Sequence, residues 1–244
     1  MKKSGLFIVF IAILLQPCQA ALLFFDDFNG TQLGNAWTVQ NEYSQYYSVS
    51  GGTLNIQTQA GDIVRGSNSH KNLFVINNPT NGNFIYTARI DSFSLTNSSY
   101  AQFDLLAYDN DNNHVRSIYG HIGARRMEFG KEVNAAWSTS IGSGLDFGTG
   151  PFYMRLKKEG SVYSQYWSTD GITFTQSNST ITYGDGTPLK LAVMSHADPT
   201  SSSQFSVDWV RVTDLDGYDP VPEPMTFVLF ALSILGLMNY KKII

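Results

Sequence analysis

Residues 152–167 read FYMRLKKEGSVYSQYW, and they contain two runs of alternating apolar and polar residues separated by a turn. Phe152, Met154 and Leu156 recur at every second position, which is the period of a half-buried β-strand. Between the two runs, Gly160 tolerates the positive φ angles that tight hairpins require. The stretch therefore predicts a β-hairpin with antiparallel strands.

The same pattern recurs from Leu22 to Thr213, where we find no sustained helical period. Aromatic residues make up 14% of the chain, which favours pleated, half-buried strands. Further strands are predicted at 53–57, 84–90 and 205–212, with turns at Ser50-Gly51-Gly52 and Ser168-Thr169-Asp170-Gly171, the latter joining 163–167 to 172–174. We therefore predict one all-β domain over residues 21–215, folded as an antiparallel two-sheet sandwich.

Charge and cysteine content exclude two classes of function. The net charge of -4, with 15% charged residues, gives no concentrated positive field for a phosphate backbone, so nucleic acid is not an expected partner. The only cysteine, Cys18, lies in a segment that we expect to be removed. The mature domain should therefore carry no disulfide and no thiolate metal site.

The N-terminus has the order of a secretory signal. Lys2 and Lys3 precede an apolar run over 6–15, and Pro17 and Ala20 follow it. About 10 apolar residues are too few to cross a bilayer but suit a signal core. We predict a signal peptide at 1–20, cut by signal peptidase, with lipidation at Cys18 as a minor alternative.

The C-terminal residues predict a second targeting signal. A linker at 216–224 contains Pro222-Glu223-Pro224, and an apolar stretch over 225–238 leads to Lys241 and Lys242. Read as a helix, the segment 225–244 could span a membrane marginally, with its lysines at the cytoplasmic face. We expect it to anchor the protein to the cell envelope, at least transiently.

This three-part order resembles the PEP-CTERM sorting signal, whose namesake motif is Pro222-Glu223-Pro224. The resemblance implies processing by an exosortase and a link with exopolysaccharide and biofilm production. The basic end departs from the family, since two lysines followed by Ile243 and Ile244 stand where arginines are common. That departure weakens the expectation of cleavage more than that of targeting.

The domain carries a second resemblance, which lies in the order of its pieces. They are Phe25-Asp26-Asp27-Phe28-Asn29, Trp37, Gly51-Gly52-Thr53-Leu54, residues 105–116 and residues 166–174. Together they look like the concanavalin A-like lectin/glucanase jelly roll, most closely laminin-G-like domains and the C-terminal module of β-xylosidases. The resemblance implies two stacked antiparallel sheets of a kind often used to hold sugars.

One cofactor, a structural calcium ion, is predicted where the first and last strands meet. Asp208 lies between Val207 and Trp209 in an apolar strand, where an unpaired carboxylate would be costly. Jelly-roll relatives often hold calcium at this junction, which implies Asp26, Asp27 and Asp208 as ligands here. Hydrogen bonds to backbone and hydroxyl donors are the equal alternative.

Catalytic carboxylates are not evident. Glucanases of this fold usually carry a Glu-x-Asp-x-Glu arrangement, and none of Glu42, Glu128, Glu132 and Glu159 lies in such a pattern. Glu128 and Glu132 would share a face on a strand, but nothing else marks them as an acid/base pair. We therefore expect no catalytic residue and a protein that is not an enzyme.

Exposed aromatic residues are the candidates for ligand binding, because a sugar ring stacks on tryptophan or tyrosine. Tyr43, Tyr46 and Tyr47 cluster in one polar loop, and Trp137 lies in another. Ordinary packing is the alternative for each of these residues. Trp37 and Trp209 are assigned to the core.

The leading hypothesis is an exported, envelope-sorted, non-catalytic protein that binds carbohydrate or matrix polysaccharide at the cell surface or in exopolysaccharide. Its alternatives are a secreted glycan-acting hydrolase and a structural or protein-binding surface module. Fold alone does not separate them.

Overall fold

The computed structural model describes residues 21–95, 100–121, 123–184, 188–197 and 203–215. These residues form strands and one short 3₁₀ helix, at Ser44–Tyr46. The strands are β1 (Leu22–Asp26), β2 (Thr38–Gln40), β3 (Tyr47–Ser50), β4 (Thr53–Gln57), β5 (Gln59–Ala60), β6 (Ile63–Val64), β7 (Ser67–Asn68), β8 (Leu73–Asn77), β9 (Phe84–Ser94), β10 (Gln102–Asn110), β11 (Asn113–His121), β12 (Arg125–Val133), β13 (Ala136–Gly144), β14 (Phe152–Glu159), β15 (Val162–Ser168), β16 (Thr175–Thr182), β17 (Lys190–Ala197) and β18 (Gln204–Thr213). The all-β prediction is confirmed.

Two large sheets form the sandwich. The first sheet has the order β16-β15-β14-β9-β18-β4-β3, and β1 pairs with β18 beside β4. The second sheet has the order β13-β12-β11-β10-β17-β8-β2, and β5 pairs with β17. Neighbouring strands along both orders are antiparallel, whereas β5 and β17 run parallel. The predicted antiparallel sandwich is therefore confirmed, and a separate β6–β7 hairpin lies outside both sheets.

The core lies between the sheets because side chains on each strand alternate between its two faces. On β9 the residues Phe84, Tyr86 and Ala88 are buried, and on β10 Phe103 and Leu105 face them from the second sheet. The core includes stacked and edge-on aromatic pairs, such as Phe93 with Phe205 at 5.8 Å between ring centroids. The opposite side chains of β10 therefore point to the outer face of the second sheet.

Local turn chemistry was predicted well. Gly51 and Gly52 have φ angles of 64° and 76° in the turn between β3 and β4, and Gly160 has 58° between β14 and β15. The turn after Ser168 is also present, but the next strand begins at Thr175 instead of Ile172. The strand predicted at 53–57 has the bounds of β4, because its alternation is uninterrupted.

The last strand contradicts one assignment. The register of β18 shifts between Val207 and Trp209, where a β-bulge lets two successive side chains leave the core. Trp209 consequently lies on the outer face of the first sheet, 5.9 Å from the ring of Tyr153 and 6.3 Å from that of Phe25. Its assignment to the core was wrong, whereas Trp37 is buried as predicted.

Both predicted targeting segments lie outside the described residues. These are the signal peptide at 1–20, the linker with Pro222, Glu223 and Pro224, and the segment 225–244 with Lys241 and Lys242. Over the residues that the structure does describe, none of the helical structure is long and apolar enough to span a bilayer.

Candidate functional site

The outer face of the second sheet carries an unusual set of buried polar side chains. Because Phe103 and Leu105 face the core, Asp104 and its neighbours two residues away point outward on β10. Asp104 and Arg116 are both almost completely buried, as is Glu132. Charged groups bury in this way only when they are paired and hydrogen-bonded.

The centre of this set is an ion cluster around Arg116. Its Nη2 atom donates to Asp104 Oδ2 at 2.7 Å, and its Nη1 atom donates to Asp62 Oδ1 at 3.0 Å. The same Nη2 lies 2.8 Å from Nε2 of His196, which must accept because a guanidinium only donates. Gln102 also contacts this imidazole nitrogen, so the cluster ties together β10, β11, β17 and the segment before β6.

Electrostatics keep Arg116 and Asp62 ionised. Burial acts to lower the pKa of Arg116, but Asp104 and Asp62 outweigh it, so the pKa is raised. Burial acts to raise the pKa of Asp62, yet His196 and Arg116 outweigh that effect and the pKa lies below its ordinary value. The side chain of Asp62 is 36% exposed, which makes it the solvent-facing carboxylate of the cluster.

The β6–β7 hairpin covers one half of this outer face. Ile63 is buried in a small apolar cluster with Leu106 and Met194, on the side of the second sheet that faces away from the core. At the tip of the hairpin, the carboxylate of Glu132 accepts the backbone N–H of Arg65 at 2.8 Å and that of Gly66 at 3.3 Å. Glu132 is thus committed to holding the hairpin.

The other half of the face is open at β13, where Thr139 and Ile141 are exposed, whereas Glu128 and Gly130 of β12 are buried. The half-buried ring of Trp137 lies against Gly130, where an added Cβ would stand 2.2 Å from the ring. The guanidinium of Arg116 lies 5.4 Å from the ring centroid, and the imidazole of His114 lies 6.2 Å from it. Only glycine lets the indole lie so close to the strand, so we name Trp137 and Gly130 the indole platform.

Glu128 lies on the same face as the indole platform. Its Oε1 atom accepts a hydrogen bond from Thr139 at 2.7 Å, and its strand neighbours in register are Ile118 and Ile141. Glu128 and Glu132 therefore share a face, as the spacing predicts, but Glu132 is held by main-chain donors and the two do not form an acid/base pair.

The predicted tyrosines lie elsewhere. Tyr46 and Tyr47 line a cleft on the outer side of β3, β4 and β18, whereas Trp137 is on β13 at the far end of the other sheet. Tyr47 also packs edge-on against Phe74 at 5.0 Å, and burial together with Glu42 raises its pKa to about 12. Tyr43 is exposed, with Lys71 Nζ 5.0 Å from its ring centroid. The structure does not bring the four aromatic residues into one site.

The predicted calcium ligands have protein partners. Asp26 accepts from Trp37 Nε1 at 2.7 Å and from the N–H of Phe28, Asp27 accepts from Asn29, and Asp208 pairs with Arg89. The bulge turns Asp208 away from the core, which removes the reason for expecting a partner there. No group of three metal-binding side chains occurs among the described residues. Calcium at this junction stays a prediction, and thermal melting with calcium against chelator would test it.

Sequence reasoning missed the ion cluster itself. Asp104 and His196 are 92 positions apart, and only the pairing of β10 with β17 brings them together. The sequence did contain an indication of the cluster. Asp104 and Arg116 are charged residues within strands whose side chains are buried on both faces. A charged residue in such a strand requires a partner.

Comparison with known proteins gives a fold and no family. No family model and no curated protein matches the chain. The GH43 protein BlXynB from Bacillus licheniformis matches with a TM-score of 0.65 and 18% identity, over 78% of this chain and 39% of that one. A β-1,3-glucanase from Mycobacterium marinum matches at 0.54 and 18%, over 79% and 98%. A glycosyl hydrolase family protein from Mycobacterium fortuitum matches at 0.53 and 14%, over 79% and 99%.

The chain thus spans about two-fifths of the length of the GH43 structures from Bacillus licheniformis. At these identities the likeness establishes the fold, which is one that glycoside hydrolases and glucanases also have. It corrects our expectation that the protein is not an enzyme, because the matched structures come from glycoside hydrolases and a glucanase. The PEP-CTERM resemblance receives no support from these comparisons.

Proposed function

We propose that this protein is a glycan-acting hydrolase whose substrate lies on the open half of the outer face of the second sheet. The observation that carries the proposal is the indole platform together with the buried carboxyl group of Glu128 on the same face of the second sheet. Trp137 offers a flat apolar face of the kind on which a sugar ring stacks, and Glu128 occupies the outward position of β12 next to Gly130. The shared fold of glycoside hydrolases and a glucanase supports this choice.

Hydrolysis of a glycosidic bond generally uses two carboxyl groups, one as acid and one to activate water or attack the sugar. Glu128 is the proposed acid. It stands in one cross-strand row with Asp104, with Ile118 of β11 between them, so their Cα atoms are about 10 Å apart from the strand spacing.

Asp104 itself is sealed beneath the hairpin, so the proposed second carboxylate is Asp62. Asp62 binds the same guanidinium from the hairpin side and is partly exposed. Its lowered pKa keeps it ionised at neutral pH, which suits a group that orients water. Arg116 would hold this carboxylate in place without contacting the substrate.

The test is release of reducing sugar from a panel that includes xylan and β-1,3-glucan. We expect release by the purified protein, loss of release in Glu128→Gln, and weakened binding in Trp137→Ala. Trp209→Ala is the matched control, because Trp209 is, like Trp137, a half-buried tryptophan, and it lies on the outer face of the other sheet. No release from any polysaccharide, or equal release by Glu128→Gln, would overturn the proposal.

We propose further that the protein is exported and sorted to the envelope, where it meets its glycan. The support is the sequence of residues 1–20 and 216–244, with Pro222-Glu223-Pro224 and the two lysines near the end. Signal peptidase and an exosortase-type enzyme are the processing partners that this implies. Mass spectrometry of the protein from the envelope fraction should show an N-terminus at Ala21. An intact chain retaining Met1 in the cytosol would contradict the proposal.

A further inference from the structure

A separate cleft lies on the outer face of the first sheet, where β3, β4 and β18 run side by side. Its volume is about 210 Å³. Its lining includes Tyr46 and four polar side chains of β4 and β18, which are Asn55, Gln57, Gln204 and Ser206. Nothing in the proposed hydrolase site uses these residues.

The alternation of two paired strands builds the floor of the cleft. Leu54 and Ile56 of β4 are buried in the core, so Asn55 and Gln57 point outward. The register sets Gln57 directly opposite Gln204 and Asn55 opposite Ser206. Four hydrogen-bonding side chains are therefore held in a two-by-two array on rigid strands.

Internal hydrogen bonds fix one row of this array. The hydroxyl of Ser206 donates to Asn55 Oδ1 at 2.7 Å, and Asn55 Nδ2 donates to Thr53 Oγ1 at 3.0 Å. The other row, Gln57 and Gln204, is half-buried and exposed respectively, and each carries an amide that both donates and accepts. The half-buried Tyr46 lines the same cleft.

The lining identifies the chemistry of a ligand. Every residue that lines the cleft is uncharged, so an anion or a cation would leave water without gaining a counter-charge. An apolar ligand would leave the amides without partners. The volume equals that of about seven water molecules, which suits a compact group such as one sugar ring. A neutral, polyhydroxylated ring matches both the amides and the tyrosine face.

We infer that this cleft is a second binding site, for a neutral sugar unit of a polysaccharide. It lies on the opposite layer of the sandwich from the indole platform, so both sites can be occupied at once. Two attachment points on one polysaccharide raise its effective concentration at each of them. The inference does not depend on hydrolysis, and it adds a site that holds the glycan away from the reacting bond.

The experiment measures binding of neutral β-1,3-gluco-oligosaccharides and xylo-oligosaccharides to the full chain by calorimetry. In a Trp137→Ala background, which disables the platform, we expect residual binding that weakens about tenfold on Tyr46→Ala. Tyr43→Ala is the matched control, since Tyr43 is an exposed tyrosine of the same loop that does not line the cleft. Gln204→Glu provides a second variant at an exposed position, where a changed charge should weaken binding without unfolding the domain.

The outcomes separate the two proposals. If Trp137→Ala alone abolishes all sugar binding, the cleft inference is overturned and the hydrolase proposal stands. If residual binding survives both Tyr46→Ala and Gln204→Glu, or falls equally in Tyr43→Ala, the inference is also overturned. If cleft variants abolish all binding while Trp137→Ala changes none of it, the inference stands and the platform is refuted. Tighter binding of an oligogalacturonate than of the neutral probes would contradict the neutral chemistry.

Discussion

Gly130→Ala should displace the indole of Trp137 with little damage elsewhere. An alanine Cβ would stand 2.2 and 2.3 Å from two ring carbons of Trp137 and 2.9 Å from the carbonyl oxygen of Ser138. Ordinary carbon contacts are about 3.5–4.0 Å, so the ring must retreat by roughly 1.3 Å or more. Overpacking of this kind typically costs about 1–3 kcal/mol. Since the ring is half-buried and can move outward, we expect about 1–2 kcal/mol of lost unfolding free energy.

A double-mutant cycle measured by urea unfolding isolates the clash. In a Trp137→Ala background the ring is gone, so Gly130→Ala should cost about 1 kcal/mol less than in the wild type. The residual cost reflects the carbonyl of Ser138. Sugar binding should fall in Gly130→Ala as it does in Trp137→Ala, because both remove the platform. An equal cost in both backgrounds would refute the close approach of Trp137 to Gly130.

Three further expectations concern the buried polar residues. Arg116→Met should lower the unfolding free energy by about 3–5 kcal/mol, because it leaves the carboxylate of Asp104 buried without its partner, and a loss near zero would contradict this role. Burial, helped by Arg116, lowers the pKa of His114 to about 3, so the unfolded chain, with a histidine pKa of about 6.5, binds the proton first. Stability should therefore fall as the pH drops from about 6.5 towards 3, less steeply in His114→Phe, and parallel melting curves across that range would show the expectation to be wrong. Glu132→Ala should speed hydrogen exchange at the two hairpin amides that it binds while leaving reducing-sugar release in place, whereas loss of release with unchanged exchange would assign Glu132 to catalysis.

Local chemistry explains which parts of the fold could be predicted. The turn at Gly51-Gly52 and the turn before β15 depend on residues that tolerate positive φ, so a few neighbouring residues decide them. The strand over 53–57 was likewise predicted from uninterrupted alternation. The bulge in β18 was not, because alternation assumes a constant register, and one extra residue turned Asp208 and Trp209 outward.

The candidate site was harder to predict because it depends on distant pairing. Trp137 was identified by residue type alone, but its platform requires Gly130 on the adjacent strand, a neighbour that only the register of β12 with β13 reveals. The ion cluster joins residues of four separate segments, and no spacing along the chain marks them. Glu132 illustrates the converse, since its spacing from Glu128 suggested a pair but a hairpin from residues 63–68 occupies its carboxylate.

A crystal structure of the Glu128→Gln protein with a bound β-1,3-gluco-oligosaccharide or xylo-oligosaccharide would test the location of the glycan site most directly. We expect a sugar ring stacked on Trp137 with a glycosidic oxygen within hydrogen-bonding distance of residue 128. Sugar bound only on the first sheet, with the face of β12 and β13 empty, would contradict that expectation.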